Sequence, residues 1–162
     1  MPHITSRFVD CHVFRRRPST GAGGGTEEWL VLRRSPGFMG DTWQMVSGTI
    51  EGAEKAYQCA QRELHEETGL RPVHFYQASY VNRFYLAATD EIVLSPVFAA
   101  EVAPDADVVL SEEHTDFEWV GWEEAMRRFP WPGQRKALAV IREQFIEAKP
   151  FDPSCIDGYL DD

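Results

Sequence analysis

Residues 48–70 read GTIEGAEKAYQCAQRELHEETGL, and no other stretch limits so sharply what this chain can fold into. Gly48, Glu54, Arg62, Glu63, Leu64, Glu66, Glu67, Gly69 and Leu70 stand in the spacing G-x5-E-x7-R-E-U-x-E-E-x-G-U, where U is a bulky aliphatic residue. Seven of these positions demand one residue type each. At roughly 6% usage, chance produces such a string on the order of once per billion starting points, so the spacing calls for a structural and chemical reason. Ala53 to Thr68 holds no glycine, no proline and one β-branched residue, which predicts a helix with Gly52 as its cap and Gly69 as its C-terminal stop. At about 100° per residue, Glu63, Glu66 and Glu67 then share an arc of about 100°.

Carboxylates at i, i+3 and i+4 repel one another and cost an isolated helix a few tenths of a kcal/mol per pair. A hard divalent cation with oxygen ligands, Mg²⁺ or Mn²⁺, reverses that cost. The plainer alternative is an acidic helix face turned to water, the usual fate of a charge run. Beside the acidic stripe, Ala53, Tyr57, Ala60 and Leu64 form an apolar stripe suited to docking on a sheet. Ala56 and Cys59 extend the acidic stripe toward the N-terminus, with side chains small enough to leave room beside a metal.

The full pattern, with the glycine-rich entry GTIEG before the helix, resembles the signature of the Nudix hydrolases and covers 23 of the 162 residues. The resemblance implies an α/β fold, the Nudix α/β/α sandwich with a mixed β-sheet. It also implies hydrolysis of a nucleoside diphosphate linked to another group, with Mg²⁺, or Mn²⁺ in its place. Carried over by position, Glu63 and Glu67 are metal ligands, and Glu66 shares the metal or activates water. Which glutamate serves as base is left to the group. The carbonyl of Ser47 completes the metal shell and lies by the substrate. Arg62 orients the carboxylates, pairing with Glu54, although an ordinary helix salt bridge accounts for Arg62 equally well. Gly48, Glu54 and Gly69 are structural members of the pattern.

A further acidic ligand in relatives comes from a later loop. Glu112, Glu113 and Glu118 are the candidates, and Glu113, just before His114 in SEEHTDFEWV, fits best. His114 itself is read as a loop hydrogen-bonder, and His3, His12, His65 and His74 receive no role. Arg33 and Arg34 end a strand, so their side chains point to opposite faces. Arg33 is chosen for substrate phosphate, with a surface charge as the alternative. Phe38, Trp43, Phe84, Tyr85 and Trp131 are the aromatics able to stack on a base, though each is the more ordinary core residue. Trp43, by its place opposite the pattern, is the one assigned to substrate.

The rest of the chain reads as one domain over residues 1–148 and an acidic tail over 149–162. Residues 6–15, 28–34, 72–88, 91–102 and 116–120 read as strands, the third and fourth of them as an antiparallel pair, and TWQMV as a short strand leading to Gly48. Trp122 to Phe129 suits a short helix, PWPG a break, and Gln134 to Ala148 an amphipathic helix. Residues 18–26 form a loop without assigned function, and Arg15, Arg16 and Arg17 a solvated strand end. Phe151, Ile156 and Leu160 in the tail offer an apolar surface for a partner, which makes a homodimer one expectation.

Acidic residues number 26 against 16 basic, a net charge of −10, which argues against long nucleic acid as a partner and leaves a small phosphorylated, nucleotide-like substrate. No apolar run reaches the roughly 20 residues of a membrane span, and the start lacks a signal-peptide layout. Three scattered cysteines suggest neither a disulfide framework nor a zinc site, so the expectation is a cytoplasmic protein. The runs DTWQMVSGTIEGAE, EEHTDFEWVGWEEA and WPGQRKAL look like Nudix members acting on dihydroneopterin triphosphate or dATP. The expected reaction is therefore release of pyrophosphate from a nucleoside triphosphate or similar compound. The alternatives are hydrolysis of ADP-ribose, a nucleoside-diphosphate sugar or a dinucleoside polyphosphate, and, in another class, a Nudix-fold module that binds without turnover.

Overall fold

Among the described residues, eight strands and three α-helices follow one another as β1 (His3–Thr5), β2 (Phe8–Arg17), β3 (Thr26–Arg34), β4 (Trp43–Gln44), β5 (Val46–Thr49), α1 (Ala56–Thr68), β6 (His74–Leu86), β7 (Glu91–Val102), β8 (His114–Val120), α2 (Trp122–Arg128) and α3 (Pro132–Ile141). A π-helical turn, Arg142–Glu147, prolongs α3. The computed structural model describes residues 1–18, 26–37, 40–147 and 156. Most of the loop over 18–26, Phe38, Phe151 and Leu160 lie outside the described residues. No helix among the described residues is long and apolar enough to cross a membrane.

The strands form one mixed sheet. β1 and β2 run parallel to β7, and the pairs β2–β3, β2–β5, β3–β4, β3–β8 and β6–β7 are antiparallel. TWQMV is not one strand but two. β2 pairs with β3 only through its C-terminal half, Phe14 to Arg17, and its N-terminal half, Phe8 to Cys11, pairs with β5. The last residues of β3 pair instead with β4. The chain thus enters the gap where β2 and β3 splay, crosses at the buried Met45, and emerges with Ser47 opposite Asp10 and Gly48 opposite Val9.

Side chains alternate between two cores. Val9, Cys11, Val13, Leu30, Leu32 and Val46 face α1, which contributes Cys59, Ala60 and Leu64. Phe14, Trp29, Val31 and Met45 face α2 and α3, which contribute Ala125, Ala137, Leu138 and Ile141. Helices therefore cover both faces of the mixed sheet, the expected α/β/α sandwich.

Several local expectations are corrected. The first helix begins at Ala56, not Ala53, because residues 51–54 form a turn: the Glu54 amide donates to the Glu51 carbonyl (3.1 Å) and Gly52 sits at φ +53°. Lys55 is the N-cap, its amide donating to Gln58 Oε1 at 2.8 Å. The C-terminal stop is Gly69, left-handed at φ 68°. Cys59 does not leave space on the acidic stripe; it is fully buried in the core. Pro132 starts α3 rather than breaking the chain, since a proline at the first helical position lacks only an amide that had no partner. Arg15 is buried rather than solvated, with its guanidinium 4.2 Å over the Trp119 ring and 2.7 Å from Glu28 Oε2. Ile156 packs into the core on the α1 side, its amide donating to the Phe75 carbonyl at 2.9 Å, so this tail residue docks on its own chain.

Candidate active site

The three glutamates of α1 part company in the fold. Glu63 is 9% and Glu67 1% exposed, whereas the Glu66 side chain is 57% exposed. The difference comes from β5, which runs beside α1 and covers one edge of the acidic arc. Gly48 makes that approach possible: a Cβ built there would lie 2.1 Å from Glu63 Oε1.

Arg62 ties the outer edge together. Its Nε and Nη2 donate to the two Glu54 oxygens (3.2 and 2.7 Å), and Nη1 donates to Glu63 Oε1 (2.9 Å) and Glu66 Oε2 (3.1 Å). Nη2 also donates to the Thr49 carbonyl at 3.1 Å, joining the helix to the end of β5. The fork thus neutralises part of the carboxylate cluster and holds it in place. The Arg62 hydrogen bonds bring Glu54 down to about 2. Glu63 moves the other way: burial raises its pKa despite the pull of Arg62.

Glu67 is the most deeply placed. Its Oε2 lies 2.6 Å from His114 Nε2, and its Oε1 accepts from the Ser47 amide at 3.3 Å. Burial raises its pKa, partly offset by the bond to His114. Glu113 joins from the β3–β8 side: ligand atoms of Glu67, Glu113 and His114 all lie within 4.8 Å of one another. Two bonds pin this segment, from the Ser35 amide to the Glu113 carbonyl (2.8 Å) and from Ser35 Oγ to the Glu112 carbonyl (2.7 Å). Glu118 is drawn off to Arg128. Of the three later glutamates considered, Glu113 is the one the fold brings to Glu67.

The residues assigned to substrate are placed elsewhere. Arg33 pairs with Trp43 in the β3–β4 ladder, and Trp43 packs on the α2–α3 core, so both lie on the sheet face opposite α1. Arg33 is exposed, with Asp41 Oδ1 3.2 Å from its guanidinium. One face of the Trp43 ring is covered by the Arg128 guanidinium at 4.5 Å. Neither joins the carboxylate cluster.

His114 is the residue that sequence reasoning undervalued. Its neighbour Glu113 was the available signal; strand alternation pointed the wrong way, placing it with Val120 on the α2–α3 face, and the register shift at Arg33/Arg34 in the β3–β8 ladder turns it to α1 instead. A second polar feature went unnoticed on the α2–α3 side. Asp10, 8% exposed, accepts from Asn82 Nδ2 at 3.1 Å, and burial lifts its pKa to about 6. His12 is buried edge-on to Phe129.

The arrangement offers oxygen donors from Glu63, Glu67 and Glu113, two of them buried and with raised proton affinity, beside one fixed cation. That donor set suits a hard divalent ion.

Known proteins share this frame. The NUDIX domain family model matches residues 18–142. An octanoyltransferase of Myxococcus xanthus is 41% identical over 118 residues, which make up 72% of this chain and 33% of that protein, so the chain spans about a third of that relative's length. The rat asymmetrical bis(5'-nucleosyl)-tetraphosphatase is 28% identical over 140 residues, 85% of this chain and 93% of the relative. Among solved structures, an Ap4A hydrolase of C. elegans in a binary complex superposes with a TM-score of 0.70 at 19% identity, covering 86% of this chain and 96% of the other, a likeness of fold. With the family model matched over residues 18–142, most of its length, the chain belongs to the Nudix family.

Proposed function

We propose that the chain is a Mg²⁺-dependent pyrophosphohydrolase that cleaves a nucleoside triphosphate or similar compound, such as dATP or dihydroneopterin triphosphate, and releases pyrophosphate. The observation that carries the reading is that Glu113 comes to Glu67 from a distant segment, while Ser47 and Gly48 lie against Glu67 and Glu63 of the same helix. A non-catalytic binder has no need to bury carboxylates whose proton affinity is raised by that burial.

Glu63, Glu67 and Glu113 would hold the cation, with the Ser47 carbonyl and Glu66 at its edge; Mn²⁺ suits the same donors. When bound, such a cation supplies charge neutralisation for the diphosphate and lowers the pKa of water. The chain's own residues do the rest. Arg62 keeps Glu63 and Glu66 from repelling one another apart. β5 shields one edge of the acidic arc from water. Glu66, the exposed member, has one oxygen on Arg62 and the other left to take a proton from an attacking water. Arg33 would meet a substrate phosphate only across the sheet edge.

A second reading is hydrolysis of a dinucleoside polyphosphate, favoured by the rat relative, whose length is matched almost throughout. The assay is a panel of nucleoside triphosphates, dihydroneopterin triphosphate, diadenosine polyphosphates, ADP-ribose and nucleoside-diphosphate sugars with Mg²⁺. Pyrophosphate release from triphosphates is the expected outcome. Cleavage of diadenosine tetraphosphate alone moves the assignment to the second reading, and binding of any of these compounds without turnover overturns both.

A further inference from the structure

We infer that His114 is a positioning residue: by donating from Nε2 it fixes the carboxylate of Glu67 in the orientation needed to hold a divalent cation with Glu113. The inference rests on the metal-dependent reading above and names the residue on which that reading depends. Three observations lead to it.

The first is geometric. His114 Nε2 and Glu67 Oε2 are 2.6 Å apart, with side-chain exposures of 0% and 2%. A contact that short between nitrogen and oxygen needs a hydrogen between them, and Glu67 without it would be a buried carboxylate held by one amide. With it, each Glu67 oxygen has one donor, Ser47 N–H on Oε1 and His114 on Oε2, and keeps a second lone pair.

The second is how His114 is delivered. The Val109 amide donates to the Thr68 carbonyl (2.9 Å) and the Ser111 amide to the Glu67 carbonyl (3.1 Å), so the approach to β8 is zipped onto the C-terminal turn of α1. The same bonds satisfy carbonyls that a helix end leaves without partners. The Ser35 bonds to the Glu112 and Glu113 carbonyls secure the other side. His114 is therefore held in register with Glu67 by bonds in which its own side chain takes no part.

The third argues against the obvious rival, His114 as a ligand itself. Its Nε2 is committed to Glu67, and its Nδ1 is buried without a hydrogen-bond partner. A cation taking Nε2 would strip Glu67 of its donor, and the imidazole is fully covered. Partners that orient ligands in this way cost about 10–100-fold in metal affinity or activity when removed.

The test uses the full chain and Mn²⁺ alone, titrated by electron paramagnetic resonance without substrate, with melting temperature as the folding control. His114→Leu, folded, is expected to bind Mn²⁺ about 10–100-fold more weakly and to lose kcat with little change in KM. His114→Gln, whose amide nitrogen can stand in for Nε2, is expected to recover most of both. A folded His114→Leu with the wild-type Mn²⁺ affinity overturns the inference. Should His114→Leu fail to fold, the ¹⁵N spectrum of the wild-type imidazole decides. An Nε2-protonated ring with and without Mg²⁺ supports the clamp, and loss of that proton on adding Mg²⁺ makes His114 a ligand and refutes it. A wild-type chain that binds no Mn²⁺ defeats the function proposal instead, and the tautomer measurement still tests the clamp.

Discussion

Gly48→Ala adds a single methyl group and tests whether Glu63 lies where the site requires it. The added carbon would fall 2.1 Å from Oε1, 2.2 Å from Cδ and 2.3 Å from Cγ of Glu63. Unstrained contact needs about 3.5 Å, so the Glu63 side chain must retreat by roughly 1.3 Å. It has somewhere to go, since its outer neighbours are the Arg62 guanidinium and solvent. The fold should therefore survive, because the retreat also returns a buried carboxyl with raised proton affinity to water. Function has no such slack. Misplacement by about 1 Å in a catalytic array costs on the order of 100-fold in rate, which corresponds to about 2.7 kcal/mol of transition-state stabilisation. The assay is kcat with the best substrate of the panel at saturating Mg²⁺, beside a thermal melt. A Gly48→Ala chain that melts like wild type and turns over within threefold of it would refute the placement of Glu63 in the metal site. A chain that is inactive because it is unfolded would show that the glycine serves the β5–α1 packing first.

Arg62→Ala releases Glu54, Glu63 and Glu66 together and is expected to weaken Mg²⁺ dependence and stability, the latter by about 1–2 kcal/mol. Arg62→Lys should restore little, since one ammonium cannot span Glu54 on one side and Glu63 on the other; full rescue would count against the fork. Asp10 makes stability depend on pH. Its folded pKa, about 6, is raised above the ordinary 3.8, so its favourable contribution is complete below about pH 4 and is lost as pH rises through 6. The difference of about 2 pK units is worth roughly 3 kcal/mol. Asp10→Asn should therefore overtake wild type in urea stability near pH 8 and lose that advantage near pH 4; a pH-independent difference contradicts the burial argument. Ile156→Ala should lower stability by about 2 kcal/mol, read by urea denaturation, because the side chain is buried in the core on the α1 side. No change there would mean that the tail contributes nothing to the fold.

What the sequence determined by itself was local and periodic. The spacing of Glu63, Glu66 and Glu67 places three carboxylates on one helical arc whatever surrounds them, because the turn of the helix sets the angle. Gly69 ends that helix because a left-handed residue is needed there, and the same reasoning finds β6, β7 and α2 from alternation and turn residues. The complete pattern from Gly48 to Leu70 also sufficed to reach the family and its sandwich fold. Tertiary structure alone decided which part of the arc is buried. β5 covers Glu63 and Glu67 and leaves Glu66 in water because β2 and β3 splay and admit β4 and β5 between them, a matter of pairing between segments distant in sequence. The joining of Glu67 to His114, 47 residues apart, and of Asp10 to Asn82, 72 apart, belongs to the same class. So does the division that sets Arg33 and Trp43 on the face opposite the carboxylates. Helical spacing fixes the directions of side chains relative to their own axis, and only the packing of that axis against the sheet determines what each direction meets.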